Sequence, residues 1–518
     1  MNSGQQLLAV LYLLLCTKWS IVTSFRIDQI NFREGLRNLE VAHVNYIRRQ
    51  KATLKATTKD VSVCIVGGGV SGLTAAITSK SGGPRNDRVI LLESSTSVGG
   101  RVQSDVTVDG ITLDRGFAVF IEEYPFSKQL LDYDGLKLRK FLPGALVKLS
   151  NNDRLARVAD PLRQPMDIFA ALSADIGSLT DKIKVLPLVF HVKMSTIEEL
   201  FEEPETNTLS ALRDRWGFSD DMIDKFFKPF LEGIYLAPLE EQSSRMFSFV
   251  FKMFSDGAAT LPADGMGTIS KQLAAKATSV GVDIRTNNVV SRISKEKSGF
   301  KIECSGGDII SKSVIVATDG PTARKLLATV DGLNGLSMEG EQTQRSVGCL
   351  YYSFEGKAPV EEPILILNGI GSSRGNELNP VNNVCFPSVV SQDYTPFGTG
   401  LCSVTVLKDA MALFKGRDGD LDLIVRKQIS TWFPNHSESI MKKWKLERIY
   451  RIENAQPSQL SGPRPANTNG GRPCDSFCGT QLPHGLFVCG DHVATATLNG
   501  ALESGVNAGN AAKSILTN

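Results

Sequence analysis

The sequence predicts an α/β protein: a Rossmann-type dinucleotide-binding domain, discontinuous along the chain, with an α+β substrate domain inserted into it. Three observations carry that prediction. Val63-Cys64-Ile65-Val66 runs into Gly67-Gly68-Gly69-Val70-Ser71-Gly72, an apolar strand followed by a glycine turn and a helix start. At the other end, Phe487-Val488-Cys489-Gly490-Asp491 leads to Asn499-Gly500-Ala501-Leu502-Glu503-Ser504-Gly505, a second strand-turn-helix pattern. Between them lie a helical stretch and then a run of alternating strands, so the two ends must return to one another.

A chain of 518 residues exceeds one simple core and points to about three domain-sized units. Its 42% apolar and 22% charged residues are ordinary for a globular protein. A net charge of +2 gives no basic face for a nucleic acid, and no short repeat marks a solenoid.

Residues 1–24 have the form of a signal peptide. Leu7 to Leu15 is too short to span a bilayer comfortably, and Val22 and Ser24 set up a cut before Phe25. Residues 25–60 carry Arg26, Arg33, Arg37, Arg48, Arg49, Lys51, Lys55 and Lys59 against few acids. This order of leader, Phe cut site and basic segment resembles the bipartite plastid presequences of algae with secondary plastids, which implies a plastid protein. The cysteines agree with a reducing destination. Cys64, Cys304, Cys349, Cys385, Cys402 and Cys489 stand singly in apolar surroundings, where Cys packs as a small hydrophobe. Cys474 and Cys478 fall in a Pro/Gly-rich insertion, Ser461 to Gly479, which is an ordinary surface loop or a redox pair.

The first part of the dinucleotide domain is expected at 61–125, with strands at 62–66 and 88–93 around a helix at 71–80. Residues 126–260 are expected to be the helical part of the substrate domain. Ser195-Thr196-Ile197-Glu198 has a capping-box signature. Phe226, Phe227, Phe230, Ile234 and Tyr235 fall at helical spacing, either as core packing or as the wall of a site for a large apolar ligand. Lys184 to Lys193 brackets an apolar run expected to be a core helix, with peripheral membrane contact as the alternative. Residues 261–330 return to the dinucleotide domain, 331–475 alternate like an antiparallel sheet, and 476–518 complete the dinucleotide domain.

In the glycine turn, Gly67 permits the tight bend, Gly69 lets backbone amides approach a pyrophosphate, and Gly72 lets helix and strand pack closely. The helix N-terminus at Val70 and Ser71 adds N–H donors and a partial positive charge. Glu93 follows about 20 residues on, at the end of the next strand, where a carboxylate accepts from ribose hydroxyls. A nicotinamide domain needs only this half; a flavoprotein commonly closes over FAD with both ends.

Glu93-Ser94-Ser95-Thr96-Ser97-Val98-Gly99-Gly100-Arg101 resembles the acid-then-Gly-Gly-Arg signature of the flavin amine oxidase, protoporphyrinogen oxidase and phytoene desaturase superfamily. Asp114-Arg115-Gly116-Phe117 is similar to the segment that follows it in the desaturase-like branch, and the likeness runs through Phe227-Lys228-Pro229-Phe230 and Leu261 to Gly267 into the C-terminal block. The resemblance implies FAD, with Gly99, Gly100 and Arg101 against its phosphates and Val289 or Val290 at the adenine. It places Gly490 and Asp491 at the ribityl and phosphate region, and the helix from Gly500 and Ala501 at the flavin pyrimidine. His492 is then a candidate beside the flavin ring, or else a structural hydrogen-bonding residue. No Ser/His/Asp arrangement, metal-ligand spacing or paired catalytic carboxylates stands out, as expected where a flavin supplies the redox chemistry. No lysine stands out as the flavin-adjacent residue of amine oxidases.

The expected activity is FAD-dependent hydride transfer to or from an apolar, isoprenoid- or carotenoid-like substrate in the plastid. The alternatives are oxidation of a tetrapyrrole precursor or an amine, and a flavin-fold protein that binds a lipid or prenyl group without catalysis.

Overall fold

The computed structural model describes residues 58–81, 87–116, 119–150, 155–159, 175–336, 344–459, 474–478 and 480–517. The expected leader, nearly all of the basic segment and most of the 461–479 insertion lie outside the described residues. The first half of the fold contains β1 (Thr58–Val66), α1 (Val70–Lys80), β2 (Val89–Leu92), β3 (Gly144–Lys148), β4 (Ala156–Ala159), α2 (Leu179–Met194), α3 (Lys228–Tyr235), α4 (Ser244–Asp256) and α5 (Gly267–Ser279). Then come β5 (Asp283–Arg285), β6 (Val290–Glu296), β7 (Gly299–Cys304), β8 (Ile309–Val316), β9 (Gln344–Glu355), β10 (Leu365–Asn368), β11 (Val381–Cys385) and β12 (Thr399–Leu407). The chain closes with α6 (Asp418–Trp432), β13 (Lys445–Pro457), β14 (Leu486–Val488) and α7 (Leu498–Thr517).

One sheet has the order β5-β2-β1-β8-β7-β6, with β14 pairing β8. Its centre is parallel: Val63 to Val66 lie opposite Val89 to Leu92 on one side and Ser313 to Val316 on the other. All four residues of β2 are buried, as a parallel strand covered on both faces requires. The last segment of the chain joins this sheet, as Val314 to Val316 pair in parallel with Leu486 to Val488. Helix α7 lies tightly on α1. A Cβ on Gly505 would collide with the Ser71 carbonyl, and one on Gly509 would come within 2.8 Å of the Ala75 carbonyl.

The second sheet has the order β13-β9-β12-β11-β10-β3-β4. One face, with Leu350, Tyr352, Val404, Val384 and Ile366, packs against Leu421, Val425, Ile429 and Trp432 of α6. Strands β3 and β4 correct the expectation of a helical 126–260. β3 is recruited by parallel pairing with β10, Ala145 opposite Leu365 through Lys148 opposite Asn368. Its other partner, β4, is close in sequence (Gly144 opposite Ala159 through Val147 opposite Ala156), but β10, which ties the pair to the sheet, is remote.

Helix α2 also departs from expectation. Its inner side buries Leu188, Val189 and Val192, but Leu179, Ile183, Leu186, Phe190 and Met194 are 45–69% exposed along the outer side. It is a surface helix with apolar residues on both sides. The capping box sits one residue later than its sequence signature: Thr196 caps the short helix Ile197–Glu202 and Glu199 closes the box.

Candidate active site

The carboxyl ends of β1, β2, β8 and β14 open together into one crevice, where ligands bind in open α/β sheets. Gly67 there has φ +111°, and a Cβ would come within 2.6 Å of the Ala317 carbonyl. A Cβ on Gly72 would collide with the Gly67 carbonyl, so this glycine acts behind the crevice, as the helix–strand contact. At Gly69 a Cβ would meet nothing within 4 Å: its Cα faces the cavity, the cradle that a pyrophosphate needs. No side chain caps the N-terminus of α1, leaving its first N–H groups for an anion.

Glu93 sits at the crevice with one carboxylate oxygen accepting from the Gly68 N–H at 2.7 Å and the other from the Ser95 N–H at 2.8 Å. A carboxylate has about four acceptor sites, so capacity for ribose hydroxyls remains. The Gly99 N–H donates to the Gly68 carbonyl at 2.8 Å, and Gly100 takes φ +58°, which lays the Gly-Gly turn beside the first loop. Arg101 then pairs bidentately with Asp491, at 2.7 and 2.6 Å, tying the front and back blocks together. Gly490 and Asp491 line the cavity, as do Thr497, Leu498 and Ala501 at the start of α7. Thr497 accepts from the Gly500 N–H at 3.1 Å, and a Cβ on Gly500 would collide with the Thr495 carbonyl, so Gly500 shapes this turn from behind.

Two expected residues fall elsewhere. His492 is buried but does not line the cavity; its ring stands edge-on to Phe477 at 5.9 Å. Gly490 turns the chain at φ +146°, and Asp491 claims the position facing Arg101. Val290 opens the edge strand β6 away from the cavity lining, and the adjacent Val289 gives its N–H and carbonyl to Ser305.

Beyond the crevice the same cavity continues, about 1550 Å³ in all. Phe226, Phe227, Phe230, Ile234 and Tyr235 all line it, as the wall alternative requires. A π-helical turn at Ile223–Phe227 precedes α3, and Phe226 stacks on Phe230 at 5.7 Å. Phe254 of α4 abuts Phe230 at 5.6 Å. Tyr235 and Tyr124 also line this space, and burial raises both phenols above their ordinary range. The face of the second sheet opposite α6 forms another side, through Ile452, Val347, Thr405, Asn383, Leu365 and Ala145. Sequence reasoning missed Asn383 and Thr405; two-residue alternation through β11 and β12 was the available signal.

All eight cysteines of the described residues are free. Burial raises the Cys489 thiol to about 12 and, with Asp475 nearby, Cys474 to about 11, which keeps both protonated at neutral pH.

A pyrophosphate cradle, a ribose-side carboxylate and a helix N-terminus at the far end define an FAD-dependent oxidoreductase. Residues 70–512 match the family model described as flavin containing amine oxidoreductase, and the chain belongs to that family. It is 28% identical over 186 residues to protoporphyrinogen oxidase 2, chloroplastic/mitochondrial, of Arabidopsis thaliana, covering 35% of this chain and 34% of the relative. It is 25% identical over 296 residues to carotenoid phi-ring synthase of Streptomyces griseus, covering 52% and 54%. The chain thus spans only a third to about half of the length of these curated relatives. Among solved structures, cyclohexylamine oxidase of Brevibacterium oxydans IH-35A superposes with TM-score 0.63 at 13% identity, over 89% of this chain and 100% of that one, a likeness of fold.

Proposed function

We propose that this protein transfers a hydride between FAD and a long apolar substrate of isoprenoid or carotenoid type, in a plastid. The observation that carries the proposal is the continuity of the cavity, from the pyrophosphate cradle at Gly69 to the aromatic wall on α3. Its 1550 Å³ exceeds the ~300–1,000 Å³ of an ordinary ligand pocket, leaving room for a cofactor and a large second molecule. Bound FAD supplies the two-electron chemistry. The chain's own part is to hold it through the Gly67–Gly72 loop and Glu93, and to direct the N-terminus of α7 at the site where negative charge develops. Phe226, Phe230 and Phe254 exclude water and orient the apolar chain.

The carotenoid-enzyme relative supports this substrate class, and the chloroplastic/mitochondrial relative supports an organellar site. The exposed apolar stripe of α2 supports peripheral membrane contact, because Ile183 and Leu186 belong both to that stripe and to the cavity lining. A second reading, oxidation of a tetrapyrrole precursor, is favoured by the similarity to protoporphyrinogen oxidase and to a coproporphyrinogen III oxidase.

The test is anaerobic mixing of holoenzyme with lycopene or phytoene in detergent, with protoporphyrinogen, and with benzylamine, following flavin absorbance. Bleaching by a carotenoid, or its reversal of prior reduction, is the expected result. Bleaching by protoporphyrinogen alone moves the assignment to the second reading, and bleaching by benzylamine alone overturns both.

A further inference from the structure

Asn383 on β11 and Thr405 on β12 are direct cross-strand partners, so their side chains leave the sheet on the same face. Both line the cavity, and both are buried, with 4% and 3% of their surface exposed. Neither the Asn383 Oδ1 nor the Thr405 Oγ1 has a hydrogen-bond partner. On this face their direct strand neighbours are Cys349 and Leu367, and the sheet's other contributions to the cavity wall include Val347, Ile452, Leu365, Ala145 and Val158. Gly233 of α3 leaves room for the amide, since a Cβ there would lie 2.9 Å from the Asn383 Nδ2. Two adjacent polar groups, buried without partners in an apolar wall, are unfavourable unless a ligand completes them.

Their chemistry limits that ligand. An amide and a hydroxyl carry no net charge, and the ion-paired groups along the cavity compensate one another: Arg101 with Asp491, Lys140 with Glu122, and Arg115 with Asp105. An ionised group placed against Asn383 and Thr405 would be desolvated, and neither of the two supplies a counter-charge. A neutral hydroxyl would both donate to the unpartnered Asn383 Oδ1 and accept from the Thr405 hydroxyl.

We propose that Asn383 and Thr405 receive a hydroxyl group on an otherwise apolar substrate, and so fix which way the substrate lies in the cavity. This rests on the apolar-substrate reading above and adds its polar end.

The test titrates holoenzyme with farnesol and with its hydrocarbon counterpart farnesene, reading the shift of the bound-flavin spectrum. Wild type is expected to bind the alcohol at least about tenfold tighter. The near-isosteric variants Asn383→Leu and Thr405→Val, combined, are expected to reduce that preference to within twofold while leaving farnesene binding and FAD content unchanged. Thr405→Ser, which keeps the hydroxyl, is expected to keep the preference; if the double variant loses FAD, Thr405→Val alone must halve the preference or more. Equal binding of both probes to wild type, or a preference that survives the substitutions, overturns the proposal and leaves the apolar reading standing. Loss of farnesene binding in a variant with full FAD makes the pair structural and also overturns it. If neither probe binds wild type, the apolar reading falls and the proposal with it.

Discussion

The two ends of the cavity are built from different parts of the chain. At the crevice the groups facing the ligand are mostly backbone: the Gly67–Gly72 turn, the Gly99–Gly100 turn and the start of α7. At the far end they are side chains, from α3, α4 and the face of the second sheet opposite α6. A backbone-lined site demands glycine at fixed positions, because any Cβ either fills the cradle or strikes a neighbour. A side-chain-lined site asks only for bulk and polarity in roughly the right places, and many sequences satisfy it. The comparison teaches why the cofactor is easier to infer than the substrate.

The largest expected effect separates two glycines of the same turn. Gly72→Ala drives a Cβ into the Gly67 carbonyl, an overpacking of ~1–3 kcal/mol or more, and is expected to lower the thermal midpoint and FAD content together. Gly69→Val places its side chain in open cavity, so the apoprotein's midpoint is expected to hold while bound FAD falls more than tenfold. Absorbance of the purified variants and thermal melts of their apo forms check both. Normal FAD in Gly69→Val would remove the cradle from the argument.

The next effect lies within α7. Glu503 is buried, and desolvation together with Glu198 raises its carboxyl to about 7. Between the ordinary glutamate value and about 7, the unfolded chain gives up this proton while the folded chain keeps it. Stability from this residue is therefore greatest at low pH, declines as pH rises through that window, and levels off above it. Glu503→Gln is expected to melt as the wild type does near pH 4.5 and to be more stable above pH 7, by on the order of 2 kcal/mol. A constant gap across the pH range would place the effect in packing instead.

The same contrast governs what was legible beforehand. The glycine turn after β1, Glu93 after β2 and the strands of 261–330 and 476–518 that join the first sheet follow from local spacing and backbone constraint. Strands β3 and β4 do not: they pair with each other locally, but they join the sheet through the pairing of β3 with β10, and that energy is absent from any local window. Asn383 and Thr405 become a pair only when β11 and β12 align. The outer stripe of α2 shows the same limit: periodicity marks an apolar helix but not whether the fold covers each of its sides.

On the substrate side, Phe230→Ala sharpens the comparison. The ring stacks on Phe226 and abuts Phe254, and removing it is expected to weaken farnesene binding by ~1–2 kcal/mol, roughly five- to thirtyfold, without lowering FAD content. Loss of FAD in this variant would mean that the two ends are not independent.

The smallest expected effect concerns His492, which the sequence places next to the crevice and the structure places behind it. Its ring packs on Phe477 and does not line the cavity, while the adjacent Asp491 does and pairs with Arg101. A group that shuttles protons must come within hydrogen-bond reach of the reacting atoms, directly or through one water. His492→Asn is therefore expected to lower stability by ~1 kcal/mol through lost packing, and to leave the rate of flavin reduction within about threefold and its pH profile unmoved. Stopped-flow reduction across pH 6 to 9 decides the matter. A tenfold fall in rate at full FAD content, with the disappearance of a pH break near the ordinary histidine value, would put His492 into the reaction. The division between a backbone-built crevice and a side-chain-built cavity would then need a third component at their junction.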